Sequence, residues 1–253
     1  MISFRKKVID TSDVMVDIIK VTKSYPPNVH ALIDVSLNVN KGEIIFLTGM
    51  SGAGKTTLLR LLSRIERQTK GLVEVGGYDL SKLSRSKMQK LRRKIGTAYQ
   101  DFKLLPERTV AQNIAITMEV AYKRPILIRK RIKKLLDQLG LQDKYNTPAS
   151  ELSRGEQQRV TIARAVANEP DLILADEPTG NLDHETTGRV MELFKECNKK
   201  GATLIIATHD ESIYSNTNHR VMELYQGKQM FFDSQSKKRQ LPSFVDELSF
   251  GDL

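Results

Sequence analysis

Two short stretches of the 253-residue chain have the residue types and spacing to read phosphate. The first, GMSGAGKT at 49–56, fits G-x-x-x-x-G-K-[ST] at every position. Gly49, Gly52 and Gly54 let backbone N–H groups close around phosphate oxygens, with Met50, Ser51, Ala53 and Thr57 completing the loop. The helix start that follows adds its dipole. Lys55 would neutralise β- and γ-phosphate charge, and the Thr56 hydroxyl would ligate Mg²⁺. A magnesium nucleotide also needs a carboxylate at the metal and a group to position water. LILADE, 172–177, supplies both: Asp176 at the end of a buried strand, then Glu177 as general base for the attacking water. The second stretch, ELSRGEQQR at 151–159, lies about a hundred residues downstream of the first. Ser153 opens a helix there as its N-cap, leaving N–H donors for an anion. It carries Arg154 where glycine would be easier.

The elements that must position these residues follow from hydrophobic periodicity. VMVDIIKV (14–21), VSLNV (35–39), EIIFLT (43–48), LILAD (172–176) and TLIIATH (203–209) read as strands. Helical spacing follows the glycine loop in TTLLRLLSRI and recurs around 185–199. Strand, glycine loop and helix in that order give the P-loop match its context. Alternation of strands and helices implies an α/β fold with a parallel sheet. RVMELYQGKQMFFD, 220–233, reads as a closing hairpin about Gln226-Gly227. From about Ser84 the texture turns helical and basic, through KMQKLRRKI, TVAQNIAITMEVAY and IRKRIKKLLDQLG. No strand-type run interrupts these segments, so 85–152 is expected to be a helical insertion. That gives one domain over 1–232, with a core of 14–84 and 153–232. The tail, 233–253, has mixed charge and no sustained period, and is expected to be a flexible extension.

Charge sharpens the division. The net charge is +10, yet Lys82 to Lys134 holds 16 Lys/Arg against three acids, Asp101, Glu107 and Glu119. The rest of the chain is therefore slightly acidic. Such a stripe suits nucleic acid, an anionic membrane surface or an acidic partner, or is a set of solvated helix faces. No apolar run approaches the length of a membrane span, and the charged N-terminus MISFRKKVIDTSD lacks the pattern of a signal peptide. The one cysteine, Cys197, has no internal disulfide partner, which fits a reducing compartment.

Over about 14–232 the chain resembles the ATP-binding cassette (ABC) family. GMSGAGKT and LILADE match its two Walker motifs, YQDF carries Gln100 at the Q-loop position, and LSRGEQ is similar to the signature motif, with Ser153, Gly155 and Glu156. GNLD looks like the D-loop, with Asp183, and ATHD like the switch-histidine motif, with His209. Tyr25, 24 residues before Gly49, matches the aromatic residue that stacks on adenine. The resemblance implies a P-loop NTPase: a RecA-like mixed-sheet core with an antiparallel β subdomain and an inserted helical subdomain. It implies ATP and Mg²⁺ as cofactors, with Thr56, Gln100 and Asp176 at the metal. Glu177, His209, Gln100 and Lys55 would be catalytic. Because cassettes of this family pair head to tail, Ser153 and the N–H of Gly155 would bind the γ-phosphate held by Lys55 of a second copy. In this family Gln100 and the helical insertion line a groove for the membrane partner.

Within the family, YQDFKLLPERTVAQNIA and ADEPTGNLD look like the cell-division FtsE type. The types serving lipoprotein release and macrolide export share EPTGNLD. The resemblance implies a homodimer at the cytoplasmic face of the inner membrane, bound to a polytopic partner of the FtsX type and acting indirectly on peptidoglycan hydrolases. Nucleic acid is not expected. DNA-maintenance ATPases share the cassette but usually split it with a coiled coil or zinc insertion. Here Gln100 and Ser153 are 53 residues apart, with neither heptads nor cysteine clusters between them. A small-molecule P-loop kinase would leave the signature and His209 unexplained.

Overall fold

The computed structural model describes residues 13–232 and 239–240. Its frame is a mixed sheet of order β11-β10-β9-β3-β8-β7-β6. Four strands run parallel side by side: β3 (Ile44–Thr48), β8 (Thr203–Ala207), β7 (Leu172–Asp176) and β6 (Ile95–Ala98). β9 (Arg220–Tyr225) joins β3 in parallel, and the hairpin to β10 (Lys228–Phe232) turns at Gln226-Gly227. β11 (Arg239–Gln240) pairs antiparallel with β10. The remainder of the tail, where an extension was expected, lies outside the described residues.

The continuous apolar runs of β3, β7 and β8 follow from coverage on both faces. Ile44 and Phe46 point into one core cluster, Ile45 and Leu47 into the other, and β7 and β8 alternate in the same way. On the first face lie α3 (Val110–Val120), α4 (Pro125–Gln138), α5 (Arg154–Val166) and α6 (His184–Lys199). On the second lie α1 (Lys55–Leu62), α2 (Arg85–Arg92) and an antiparallel sheet of order β2-β1-β4-β5. That sheet comprises β1 (Val14–Tyr25), β2 (Val29–Asn40), β4 (Lys70–Val75) and β5 (Tyr78–Asp79).

One expectation fails. The stretch 85–152 is not free of strands, because β6 lies inside it and pairs with β7 in the main sheet. The reason lies in Gly96. A Cβ there would come within 2.1 Å of the Ala165 carbonyl oxygen, so only glycine lets α5 pack this closely on the strand. The glycine that makes the packing possible also erases the β-branched signature that reveals strands.

Candidate functional site

The parallel strands end at one edge, and the predicted site residues emerge there, outside the carboxyl ends of an open α/β sheet. After β3, the loop 49–54 wraps a cleft of about 440 Å³ lined by Met50 to Thr57, Gln100, Asp176, Glu177 and His209. Gly49, Gly52 and Gly54 have φ of 131°, 79° and 107°. A Cβ on Gly49 would strike the Leu224 carbonyl at 2.1 Å, and one on Gly54 the Ala31 carbonyl at 2.4 Å. The loop is thus wedged between the start of β2 and the β9 end, and the Gly227 N–H donates to the Ala53 carbonyl at 3.1 Å. Gly54 caps α1 with no side-chain hydrogen bond, so the first N–H groups of that helix stay available to an anion. Lys55 is buried and folds back on the loop, donating to the Gly49 and Met50 carbonyls at 2.6 and 3.2 Å.

Across the cleft, Glu177 follows β7 in a left-handed backbone conformation, φ 49°, uncommon for a residue with a side chain. Two hydrogen bonds hold it there. Its N–H donates to the Ala207 carbonyl at 2.8 Å, and its own carbonyl accepts from Gln158 Nε2 at 2.6 Å. The carboxylate accepts from His209 Nδ1 at 2.8 Å and lies 3.9 Å from Lys55 Nζ. This fixes a carboxylate facing the phosphate loop.

Asp176 is 3% exposed. Burial raises its pKa, Glu177 beside it pushes the same way, and a hydrogen bond from Thr56 and the Lys55 charge oppose them. Thr56, Gln100 and Asp176 also share a smaller adjoining recess with Arg60, Tyr99 and Asp101. A hydroxyl, a carboxamide oxygen and a carboxylate are hard oxygen donors, the set that suits Mg²⁺ when phosphates complete the shell. The donor set fits the ion.

Other predicted residues lie elsewhere. Ser153, Arg154, Gly155 and Glu156 begin α5 and line no part of this cleft. Ser153 and Glu156 form a reciprocal capping box: the Glu156 N–H donates to Ser153 Oγ at 3.3 Å, and the Ser153 N–H to Glu156 Oε2 at 2.8 Å. Arg154 is exposed, as the first residue of an ordinary helix, so its backbone does not need glycine. Asp183 caps α6 through the Thr186 N–H at 2.7 Å, which holds its pKa low. Tyr25 borders the loop by a hydrogen bond with Thr57 but does not line the cleft. Its hydroxyl donates to Glu66, and Lys23 Nζ stands 4.6 Å from its ring centroid.

Sequence reasoning missed Gln158. Buried on the first turns of α5, it bonds the Glu177 carbonyl and accepts from Asn181 Nδ2 at 3.2 Å, tying signature helix, Glu177 and D-loop together. The available signal is its position: Gln158, Thr161 and Ala165 form the i, i+3, i+7 stripe of a buried face, where a glutamine requires partners.

The family model for ABC transporters matches residues 32–180. The chain belongs to the ABC transporter family. It binds ATP and is an ATPase. Among curated proteins, it is 41% identical to the cell division ATP-binding protein FtsE of Bacillus subtilis, covering 84% of this chain and 93% of that one. It is 44% identical to FtsE of Mycobacterium tuberculosis over 85% of this chain and 94% of that one. For Escherichia coli FtsE the figures are 44%, 82% and 93%. A solved dimeric cassette in a post-hydrolysis state, bound to ADP and Pi, superposes with a TM-score of 0.81. The two are 33% identical, over 89% of this chain and 98% of that one. No helix among the described residues is long and apolar enough to cross a membrane.

Proposed function

We propose that the chain is the ATP-hydrolysing subunit of an FtsE/FtsX-type complex. Two copies would sit at the cytoplasmic face of the inner membrane on a polytopic partner of the FtsX type, and ATP turnover would signal across the membrane to peptidoglycan hydrolases during cell division. The observation that carries the dimer is the division of labour within one chain. The cleft gathers Lys55, Asp176, Glu177 and His209, while the N-terminus of α5, with exposed Ser153 and half-buried Gly155, lines no part of it. Head-to-tail pairing completes each site with the signature residues of the other copy, which agrees with the dimeric cassette to which this chain is similar. The FtsE-named relatives support the cell-division assignment.

In this reading the loop N–H groups and α1 hold the phosphates, and Lys55 moves from the Gly49 and Met50 carbonyls onto phosphate oxygen. Mg²⁺, held by Thr56, Asp176 and Gln100, would screen phosphate charge. Glu177 takes the proton of the attacking water while His209 keeps its carboxylate aimed at the phosphate loop. Coupling to the partner would run through a groove of about 350 Å³ lined by α2, β6, α3 and α5. Arg164, one of its residues, donates to the Phe102 and Lys103 carbonyls at 2.5 and 2.7 Å, so groove contents and the segment after Gln100 share a contact.

Affinity isolation of the Glu177→Gln chain from detergent-solubilised membranes, with ATP and Mg²⁺, tests the reading. The expected product is a dimer with one polytopic integral protein of the FtsX type. Recovery with a lipoprotein-release or export permease would overturn the cell-division assignment, and salt-sensitive retention of DNA would reopen a DNA-maintenance role.

A further inference from the structure

The turn between α3 and α4 presents a surface that neither the cleft nor the groove explains. Val120, Tyr122, Ile126 and Leu127 are 53%, 83%, 68% and 45% exposed there, clustered where α3 ends and Pro125 starts α4. Scattered exposed apolar residues are ordinary, but four around one turn make a patch. α4 sends Ile128, Ile132, Leu135 and Leu136 into the core, and Arg129, Lys130, Lys133 and Lys134 to solvent. Lys123 and Arg124 add two exposed cations just before it. Between Ile116 and Leu136 the only acid is Glu119. The α4 N-cap is Arg124, with no side-chain cap bond and no acid in the first turn. Lys123 and Arg124 thus stand at the helix end where the dipole disfavours cations, and the other four follow along the exposed side of α4.

Arg131 does not belong to this patch. Its guanidinium donates to the Val166 and Ala167 carbonyls at 3.0 and 3.3 Å, closing the end of α5. Its charge is structural.

An apolar tip continued by a row of long cationic side chains along α4 matches the interfacial layer of an anionic bilayer, where apolar groups enter the acyl boundary and Lys/Arg stems reach to headgroup phosphates. Nucleic acid would satisfy the cations and leave the apolar tip without a counterpart. The tip also continues from the groove: Val120 lines it, and the Arg93 guanidinium lies 5.3 Å from the Tyr122 ring centroid. We propose that the α3–α4 turn docks directly on anionic lipid, with Tyr122, Ile126 and Leu127 at the acyl boundary and Lys123, Arg124, Arg129, Lys130, Lys133 and Lys134 on the headgroups. This rests on the reading of the chain as a peripheral membrane subunit, and gives the ATPase a lipid contact of its own beside the partner protein.

Flotation of the purified full chain, with no partner protein present, tests it. Vesicles of phosphatidylcholine with phosphatidylglycerol should retain the chain at low salt and release it as salt rises, and pure phosphatidylcholine should not retain it. Lys130→Gln/Lys133→Gln/Lys134→Gln should lower the partition constant roughly 100-fold. Tyr122→Ser/Leu127→Ser should lower it about tenfold or more. Unchanged basal ATP hydrolysis shows that each variant is folded. Absence of wild-type binding to phosphatidylglycerol vesicles, equal binding to both vesicle types, wild-type partition by both variants, or displacement of the vesicles by equimolar nucleic acid would each overturn the proposal. Because no partner is in the assay, failure here leaves the groove reading standing, and a failed partner isolation leaves this result standing.

Discussion

The N-termini of α1 and α5 are finished in opposite ways. α1 starts from Gly54, with no side-chain cap, and its lysine is folded inside the cleft. α5 starts from Ser153 with both halves of a capping box made, and the Lys144 ammonium stands 3.3 Å from the box glutamate. At Glu156, burial raises the pKa, but the two Ser153 hydrogen bonds and Lys144 outweigh it and keep the carboxyl below its usual range. The first terminus leaves its N–H groups open to the cleft, for water or a phosphate to meet. The second pairs its cap within the chain and is stable in water, which is what the proposed head-to-tail pairing requires of it between encounters.

The largest effects should come from the cleft that the α1 end opens into. Glu177→Gln keeps the shape but removes the base, so hydrolysis should fall by roughly 10²–10⁴-fold while ATP still binds. Sedimentation with ATP and Mg²⁺ should then show a dimer, and a monomer at all concentrations would break the comparison at its root. Asp176→Asn should also abolish Mg²⁺-dependent turnover, with the opposite sign on stability of the nucleotide-free chain. Burial raises the Asp176 pKa, so the folded chain holds this proton more tightly than the unfolded chain. Ionisation therefore costs stability, increasingly so as pH climbs from the ordinary carboxylate range through the raised folded value. The asparagine variant should melt higher than wild type at neutral pH, with the gap closing in acid. A lower melting temperature at neutral pH would refute the burial argument.

The link between the two ends is the next scale down. Gln158→Leu strips the Glu177 carbonyl and the Asn181 amide of a buried partner, which should cost roughly 1–3 kcal/mol of stability. It should also lower kcat with little change in KM for ATP, since it frees Glu177 rather than the phosphate loop. With kcat counted per folded chain, an unchanged kcat would place its effect on folding alone, and a raised KM would place it on the phosphate loop. At the α5 surface, exposed Arg154 stands next to Ser153, where in the proposed pairing its guanidinium would reach the γ-phosphate of the other copy. Arg154→Gly in the Glu177→Gln background should then weaken ATP-dependent dimerisation by roughly 1–3 kcal/mol, the scale of a charged hydrogen bond. Equal dimer affinity would leave the signature to Ser153 and Gly155.

How much of this was legible in the sequence depended on whether a residue acts through its neighbours in the chain or through distant ones. The P-loop, Asp176 and the Ser153 cap are local devices, readable from spacing, and the structure has each in its expected element. β4 and β5 escaped because KGLVEV and the two-residue Tyr78–Asp79 carry too few apolar positions to show a period. Arg131 looked like one more cation in a basic run. Only the tertiary fold shows that it closes α5, whose end is 35 residues away in sequence. The left-handed backbone of Glu177 is likewise a product of packing between β7, β8 and α5, with no local signal. The buried stripe on α5, by contrast, marks Gln158 as needing partners without showing that one of them is the Glu177 carbonyl.

The smallest effect separates the two duties of Ser153. As a cap, its hydroxyl takes one N–H of α5 at 3.3 Å, while the Glu156 half of the box bonds backbone and survives substitution. Ser153→Ala should therefore cost about 1 kcal/mol of unfolding free energy in the nucleotide-free chain. Aspartate caps helices as well as serine does, so Ser153→Asp should recover that stability to within about 0.5 kcal/mol. It would, however, set a carboxylate against the γ-phosphate held by the other copy, where like charge repels. In the Glu177→Gln background, Ser153→Ala should then still dimerise with ATP, more weakly, and Ser153→Asp should not. If the aspartate variant dimerises as well as alanine does, Ser153 is a cap and nothing more, and the two helix ends no longer belong to one site.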